Sequence, residues 1–285
     1  MRYRCIDRRR NRHSVRMMCS ALRVSRSGYY AWRVRPESTR AQRDRALTRM
    51  IRTLYADSGG VYGSPKIHQE LLASGESCGR HKVARLMRQV GLRGCPKKRY
   101  RAKGVNPAVA ASNLLQQDFS ANQTDERWVS DITFIPTRQG WLYLAAIMDL
   151  YSRRIVGWSM SRRITRHLAL NALFMALGQR RPETDLIHHS DRGAQYLSDD
   201  YQTVLKQHGI RCSLSGAGSC YDNAAIESFF SLLKRERVNR VRYRTRDEAR
   251  SDVFDYIERF YNRQRSHSYL GYTSPVRYEQ QAMGT

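Results

Sequence analysis

Residues 128–135 read W-V-S-D-I-T-F-I, and this short run decides how the rest of the chain is parsed. Alternation of apolar and polar positions with β-branched and aromatic residues predicts a strand. A carboxylate in mid-strand, Asp131 between Ser130 and Ile132, is costly to bury unless it binds something. Two further acids stand in similarly pointed contexts: Asp191 in H-H-S-D-R-G-A-Q-Y, after the apolar pair L-I, and Glu227 in Y-D-N-A-A-I-E-S-F-F, inside a helical pattern. A single acid is more often a cap or an ion-pair partner. Three arriving from two strand ends and one helix form a set of hard oxygen ligands suited to Mg²⁺ or Mn²⁺.

The surroundings of that run support an α/β layer. W-L-Y-L-A-A-I-M-D at 141–149 is a second β-prone run joined by T-R-Q-G, and 154–160 is a third. A helix is expected over 166–178, with Leu168, Leu170, Leu173, Phe174 and Leu177 inward. Strands at 185–189 and 210–214 flank a helix at 198–208. Three consecutive strands, then helix, strand, helix, strand and helix predict a mixed sheet. The segment S-G-A-G-S-C-Y, 215–221, is expected to be irregular and mobile. Beyond it a helix carries Ile226, Phe230 and Leu233 on one face, with Glu227 and Lys234 beside it. An amphipathic helix over 246–262 and an irregular tail close the chain.

Charge separates the N-terminal third from the rest. The 285 residues carry 51 Lys+Arg against 25 Asp+Glu, a formal net charge of +26. Residues 1–104 hold 27 basic and 6 acidic side chains, while 105–285 hold 24 and 19. So uneven a field is a polyanion footprint, and the preference for arginine over lysine suits bidentate phosphate contacts. The competing explanation, a generically basic protein with a solvated charged face, leaves the placement of the acids unexplained.

Within this basic third, a short helical pattern runs through Val15, Met18, Cys19 and Leu22, and Ser25 reads as an N-cap or turn residue. Pro36-Glu37-Ser38-Thr39 breaks that pattern and starts a helix with Ala46, Met50, Ile51 and Leu54 at helical spacing. Ser64 and Pro65 open the next helix, with Ile67, Leu71 and Leu72 inward. A third, at about 80–90, buries Val83, Leu86, Met87 and Val90 and turns Arg80, Lys82, Arg85 and Arg88 outward. Three short helices with a basic third one suit a helix-turn-helix laid against DNA. A solvated basic helix in a small bundle is the plainer alternative.

The six cysteines (5, 19, 78, 95, 212 and 220) contain no C-x-x-C pair, so zinc is not expected, and His188-His189 with Cys212 and Cys220 have the wrong spacing for it. With neither a signal peptide nor a long apolar run, a cytoplasmic protein with reduced thiols is expected.

W-V-S-D-I-T, M-D-L-Y-S-R-R-I-V-G-W, H-S-D-R-G-A-Q-Y, Y-D-N-A-A-I-E-S-F-F-S-L-L-K and Y-N-R-Q-R-S-H-S-Y-L-G-Y-T-S-P occur in that order. Together they resemble the catalytic, second-reading-frame protein of insertion-sequence transposases of the IS-three family, in the DDE transposase and retroviral integrase superfamily. Y-G-S-P-K-I-H followed by V-A-R-L-M-R-Q-V-G-L is similar to the same family's helix-turn-helix segment. The resemblance implies an α/β fold: an RNase H-like mixed-sheet core, preceded by an all-α helix-turn-helix domain and followed by a C-terminal helical extension. Its implied boundaries are a basic helical arm at 1–36, the helix-turn-helix-like domain at 37–92, a basic irregular linker at 93–125, the catalytic core at 126–240 and the C-terminal helix and tail at 241–285.

Carried over by position, Asp131, Asp191 and Glu227 match the metal-binding triad, which implies two Mg²⁺ or Mn²⁺ ions per active site. Lys234, seven residues after Glu227, matches a basic residue that contacts DNA near the site. Asn223 matches the asparagine of D-N-A-x-x-E and also reads as a helix cap. Asp149 and Asp222 read first as structural, whereas His188, Arg192, Gln195 and Tyr196 are open between substrate contact and structure, and Gly193 serves a turn. Ser215-Gly216-Ala217-Gly218 lacks the basic residue the family often carries before Y-D-N-A, which implies a weaker DNA contact there. The implied activity is metal-dependent cleavage and transfer of DNA strands. Its implied partners are double-stranded DNA, an upstream first-frame product and further copies of the chain. An RNase H-like nuclease and a non-catalytic DNA-binding regulator or relic are the rivals.

Overall fold

The computed structural model describes residues 2–96, 120–182, 185–215 and 223–283. Two compact units divide the chain, Met1–Thr53 and Leu54–Thr285.

The first unit is helical. Helices α1 (Arg2–Arg9), α2 (Val15–Ala21) and α3 (Arg26–Val34) gather Ile6, Cys19 and Tyr29 into a small core, with Val15, Met18, Leu22 and Trp32 packed around it. Ser25 caps α3 as expected, its Oγ accepting from the Gly28 N–H at 3.0 Å. The basic run at the start conceals α1, whose one buried residue is Ile6. Helix α4 (Thr39–Asp57) buries Leu47 and Ile51, so Leu47 takes the inward position expected for Ala46.

In the second unit, α5 (Ser64–Ala73) buries Ile67 and Leu71 and α6 (Arg80–Gln89) buries Val83, Leu86 and Met87 as expected. Leu72, however, is exposed, Val90 is half-buried, and Gly63 rather than Ser64 is at the N-cap of α5. Strands β1 (Arg127–Thr137), β2 (Gly140–Asp149), β3 (Ile155–Ser161), β4 (Ile187–Ser190) and β5 (Arg211–Leu214) form one mixed sheet in the order β3-β2-β1-β4-β5. β1 to β3 pair antiparallel, and β4 and β5 run parallel to β1. The T-R-Q-G connection is the tight turn expected, with the Thr137 hydroxyl donating to the Gly140 carbonyl at 2.6 Å.

Helix α7 (Arg166–Arg180) packs on β2 and β3, and α8 (Asp199–Gln207) joins the same core through Tyr201 and Leu205. At Gly157 of β3 a Cβ would stand 2.2 Å from the Ala172 carbonyl oxygen, so the helix can seat only on a glycine. Phe174, expected inward, is exposed. Trp128, Ile132, Ala145 and Ile147 share the face under α7. Alternation therefore turns Asp131 and its cross-strand partner Ala146 to the other face. Helix α9 (Ala224–Glu236) packs against β1 and β2, as does α10 (Arg246–Phe254).

The amphipathic stretch after α10 winds as a π-helix over Asp255–Tyr261, burying Tyr256, Ile257, Phe260 and Tyr261. Nor is the tail wholly irregular. His267 bridges Thr273, and α11 (Pro275–Met283) follows. Glu279 of α11 is gripped by Arg180 through both carboxylate oxygens at 2.7 and 3.0 Å. Apart from Ser215, the expected irregular loop lies outside the described residues, as do Asp222 and most of the expected linker. No helix among the described residues is long and apolar enough to cross a membrane.

Candidate active site

Asp131 sits in β1 with its Oδ1 accepting the N–H of Ile132 at 2.7 Å. Burial pushes its carboxyl up to about 7, and the negative charges of Asp191 and Glu227 push the same way. The Ile132 N–H and the Lys234 ammonium partly oppose them. The two other acids are therefore near enough to act on Asp131. Among the described residues, however, no three His, Cys, Asp or Glu side chains lie close enough together to hold a metal ion.

Asp191 is exposed on the turn that leaves β4. Its Oδ1 accepts the Gly193 N–H at 3.0 Å. The expected turn role of Gly193 is a matter of space: a Cβ would stand 2.9 Å from that same oxygen and 2.8 Å from Gln195 Oε1. Arg192 Nε donates to the Ser215 carbonyl at 2.9 Å, tying this turn to the end of β5. Glu227 projects from the first turn of α9, and partial burial raises its carboxyl.

Asn223 stands at the N-cap position of α9 but makes no side-chain cap bond. It is buried, and its Nδ2 donates to the Ser130 carbonyl at 2.9 Å. The residue expected to touch DNA or cap a helix thus joins the start of the Glu227 helix to the residue before Asp131. Lys234, two turns beyond Glu227, holds its ammonium 4.3 Å over the Phe134 ring, a cation–π contact.

The residues left open between substrate and structure separate clearly. His188 is fully buried, bonded to the Tyr201 hydroxyl at 3.0 Å, and burial lowers its imidazole to about 3, so it stays neutral. Tyr196 is buried, Gln195 is partly buried and Arg192 is exposed. Asp149 is fully buried and holds a turn: it accepts from the Ser152 N–H and hydroxyl and from the Asp125 N–H at 2.7–2.9 Å. On α6, Arg80 and Arg88 are exposed while Lys82 and Arg85 are partly buried.

Sequence reading missed two features near the site. Phe134 and Trp141 are half-exposed aromatics, and Arg242 and Arg244 are exposed two residues apart in the segment that bonds to the β1–β2 turn. The alternating R-V-R-Y-R-T-R at 240–246 is the signal that could have found the second.

Residues 121–220 match the integrase core domain family, 227–283 match a second integrase core domain family, and 41–100 match an HTH-like domain. A helix-turn-helix-like segment ahead of an RNase H-like integrase core is the class that the fold and these family matches define. The chain is 43% identical over 265 residues to the IS600 insertion element 31 kDa protein of Shigella sonnei, covering 92% of this chain and 97% of that one. It is 42% identical over 286 residues to the transposase InsF for insertion sequence IS3A of Escherichia coli strain K12, covering 98% of each. The chain belongs to the IS3 family of insertion-sequence transposases. The HTLV-2 integrase catalytic core domain, solved in complex with magnesium, superposes with a TM-score of 0.45 at 14% identity, over 56% of this chain and 99% of that one.

Proposed function

We propose that this chain cuts DNA strands at the ends of an insertion sequence and joins the freed 3′-OH to a second phosphodiester in the same site. The observation that carries the reading is that the buried Asp131 carboxyl on β1 feels the negative charges of both Asp191, at the end of β4, and Glu227, on α9, in a chain of net charge +26. A carboxyl held at about 7 by burial and two neighbouring acids marks a place where positive charge is wanted. The donor set fits hard divalent cations, and Asp131, Asp191 and Glu227 would hold Mg²⁺ or Mn²⁺, two per site. When bound, such ions activate the attacking oxygen and stabilise the leaving one.

The chain's own residues supply position and charge. β1 and the Asp191 turn are fixed by sheet pairing and by the Arg192–Ser215 bond. The Asn223–Ser130 bond sets the start of α9 against β1 and so sets the approach of Glu227. Lys234 adds a cation on the side of the site toward Phe134, where a DNA phosphate would lie. The basic face of α6, with Arg80, Lys82, Arg85 and Arg88, would carry DNA outside the site. An upstream first-frame product, as fusion or partner, and further copies of the chain would bring two element ends together.

A strand-transfer assay tests the reading. The full protein, with its upstream partner product, is given a labelled 3′-OH element-end duplex, target DNA and Mg²⁺. A joined product is expected. Cleavage with no joined product in any fusion context would favour a nuclease and overturn the proposal.

A further inference from the structure

Large aromatic side chains are normally buried, yet Phe134 is 49% exposed and Trp141 48% exposed. They are neighbours, with ring centroids 4.9 Å apart and planes at 80°. Phe134 stands three residues along β1 from Asp131, about 10 Å at a strand's rise and by alternation on the opposite face of the strand. The Lys234 ammonium lies over its ring, and the charge of that same ammonium is felt by Asp131. The apolar corner and the carboxylate site thus share one cation.

The segment after α9 brings further positive charge to the β1–β2 turn. Tyr243 is buried, and Arg242 and Arg244 on either side of it are exposed. This segment is fastened to the β1–β2 turn. Arg138 N–H donates to the Tyr243 carbonyl at 3.1 Å, and Arg246 Nε donates to the Trp141 carbonyl at 3.0 Å. Flat aromatic faces beside a cationic track are what proteins use to hold an unpaired strand, the rings stacking on bases and the cations meeting phosphates.

We propose that Phe134 and Trp141 form a stacking site for an unpaired nucleobase flanking the reacting phosphodiester, with Lys234, Arg242 and Arg244 holding that strand's phosphates. The inference rests on the function proposed above and adds to it that the DNA end is read partly as single strand. It also accounts for the exposure of two large aromatics at the end of β1 that Lys234 links to the carboxylate site. A contact between copies of the chain would hide the same rings, but it would set Lys234, Arg242 and Arg244 against an equally basic partner.

The test is equilibrium binding by the full chain in EDTA, so that no strand is cut. The probes are a blunt duplex and the same duplex bearing a four-nucleotide unpaired tail with 2-aminopurine. Wild type is expected to bind the tailed duplex about tenfold more tightly and to quench the 2-aminopurine. Trp141→Ala and Phe134→Leu should abolish the preference while blunt-duplex affinity stays within about twofold. Trp141→Phe, which keeps an aromatic face, should retain most of it. Equal affinity of wild type for both probes would overturn the stacking site, as would a preference that survives Trp141→Ala. A fall in oligomeric state in Trp141→Ala with the preference unchanged would assign the rings to a contact between copies instead. Failure of wild type to bind either duplex would sink the functional reading as well, whereas binding without preference would sink this inference alone.

Discussion

The side-chain amide of Asn223 donates a 2.9 Å hydrogen bond to the backbone carbonyl of Ser130. That one bond couples the start of α9, four residues before Glu227, to the strand position immediately before Asp131. Two of the three carboxylates are therefore placed relative to each other by an amide that carries no charge.

Replacing Asn223 with alanine should consequently separate geometry from chemistry. The lost bond costs about 1 kcal/mol of stability. Misplacement of Glu227 should cost strand cleavage about a hundredfold, because small displacements of reacting groups are expensive. DNA binding should be unchanged. Thermal melts, cleavage rates and duplex affinity measured on one preparation check all three. Equal losses of binding and cleavage would assign Asn223 to DNA contact instead.

Gly193 gives a complementary case on the Asp191 side. A Cβ there stands 2.9 Å from Asp191 Oδ1, and the carboxylate or the turn must shift to admit it. Gly193→Ala should lower cleavage about ten- to a hundredfold while leaving the melting temperature within a few degrees, since the turn is near the surface. Full activity in this variant would show that the position of the Asp191 carboxylate is not demanding.

The parts legible in the sequence were those written in local pattern. Alternation at 128–135 and 141–149 gave the paired strands, and helical spacing gave α5, α6 and α9. Asp131 stood out because a mid-strand carboxylate needs a reason. Harder to see was whatever depends on which distant residues meet. Asn223 looked like a cap, since nothing nearby names Ser130 as its partner. Phe174 looked buried by spacing, yet it is exposed. Glu236 gave no sign that Arg265 and Tyr256, twenty and more residues later, would close on it.

That Glu236 site predicts a pH effect. Arg265 grips the buried carboxylate at 2.7 and 2.8 Å, Tyr256 donates to it at 2.8 Å, and the carboxyl is held below its ordinary value despite burial. A folded-state pKa below the unfolded one gives stability that is complete above the ordinary glutamate range, near 4.5, and is lost as pH falls through the depressed value. Glu236→Gln should therefore be less stable than wild type at pH 7, by about 3–5 kcal/mol if Arg265 is left buried and unpaired. The gap in urea midpoint should narrow as pH falls below about 4.5. A gap that is constant with pH would mean that the carboxylate's charge contributes nothing.

The most direct test of the account compares Asp131→Asn, Asp191→Asn and Glu227→Gln in strand cleavage at a labelled element end with Mg²⁺. Each substitution keeps side-chain size and removes one anionic ligand. All three should lose about a thousandfold or more in rate, roughly 4 kcal/mol of transition-state stabilisation, while still binding the DNA. Cleavage within tenfold of wild type by any one of the three would contradict a site built on Asp131, Asp191 and Glu227 together.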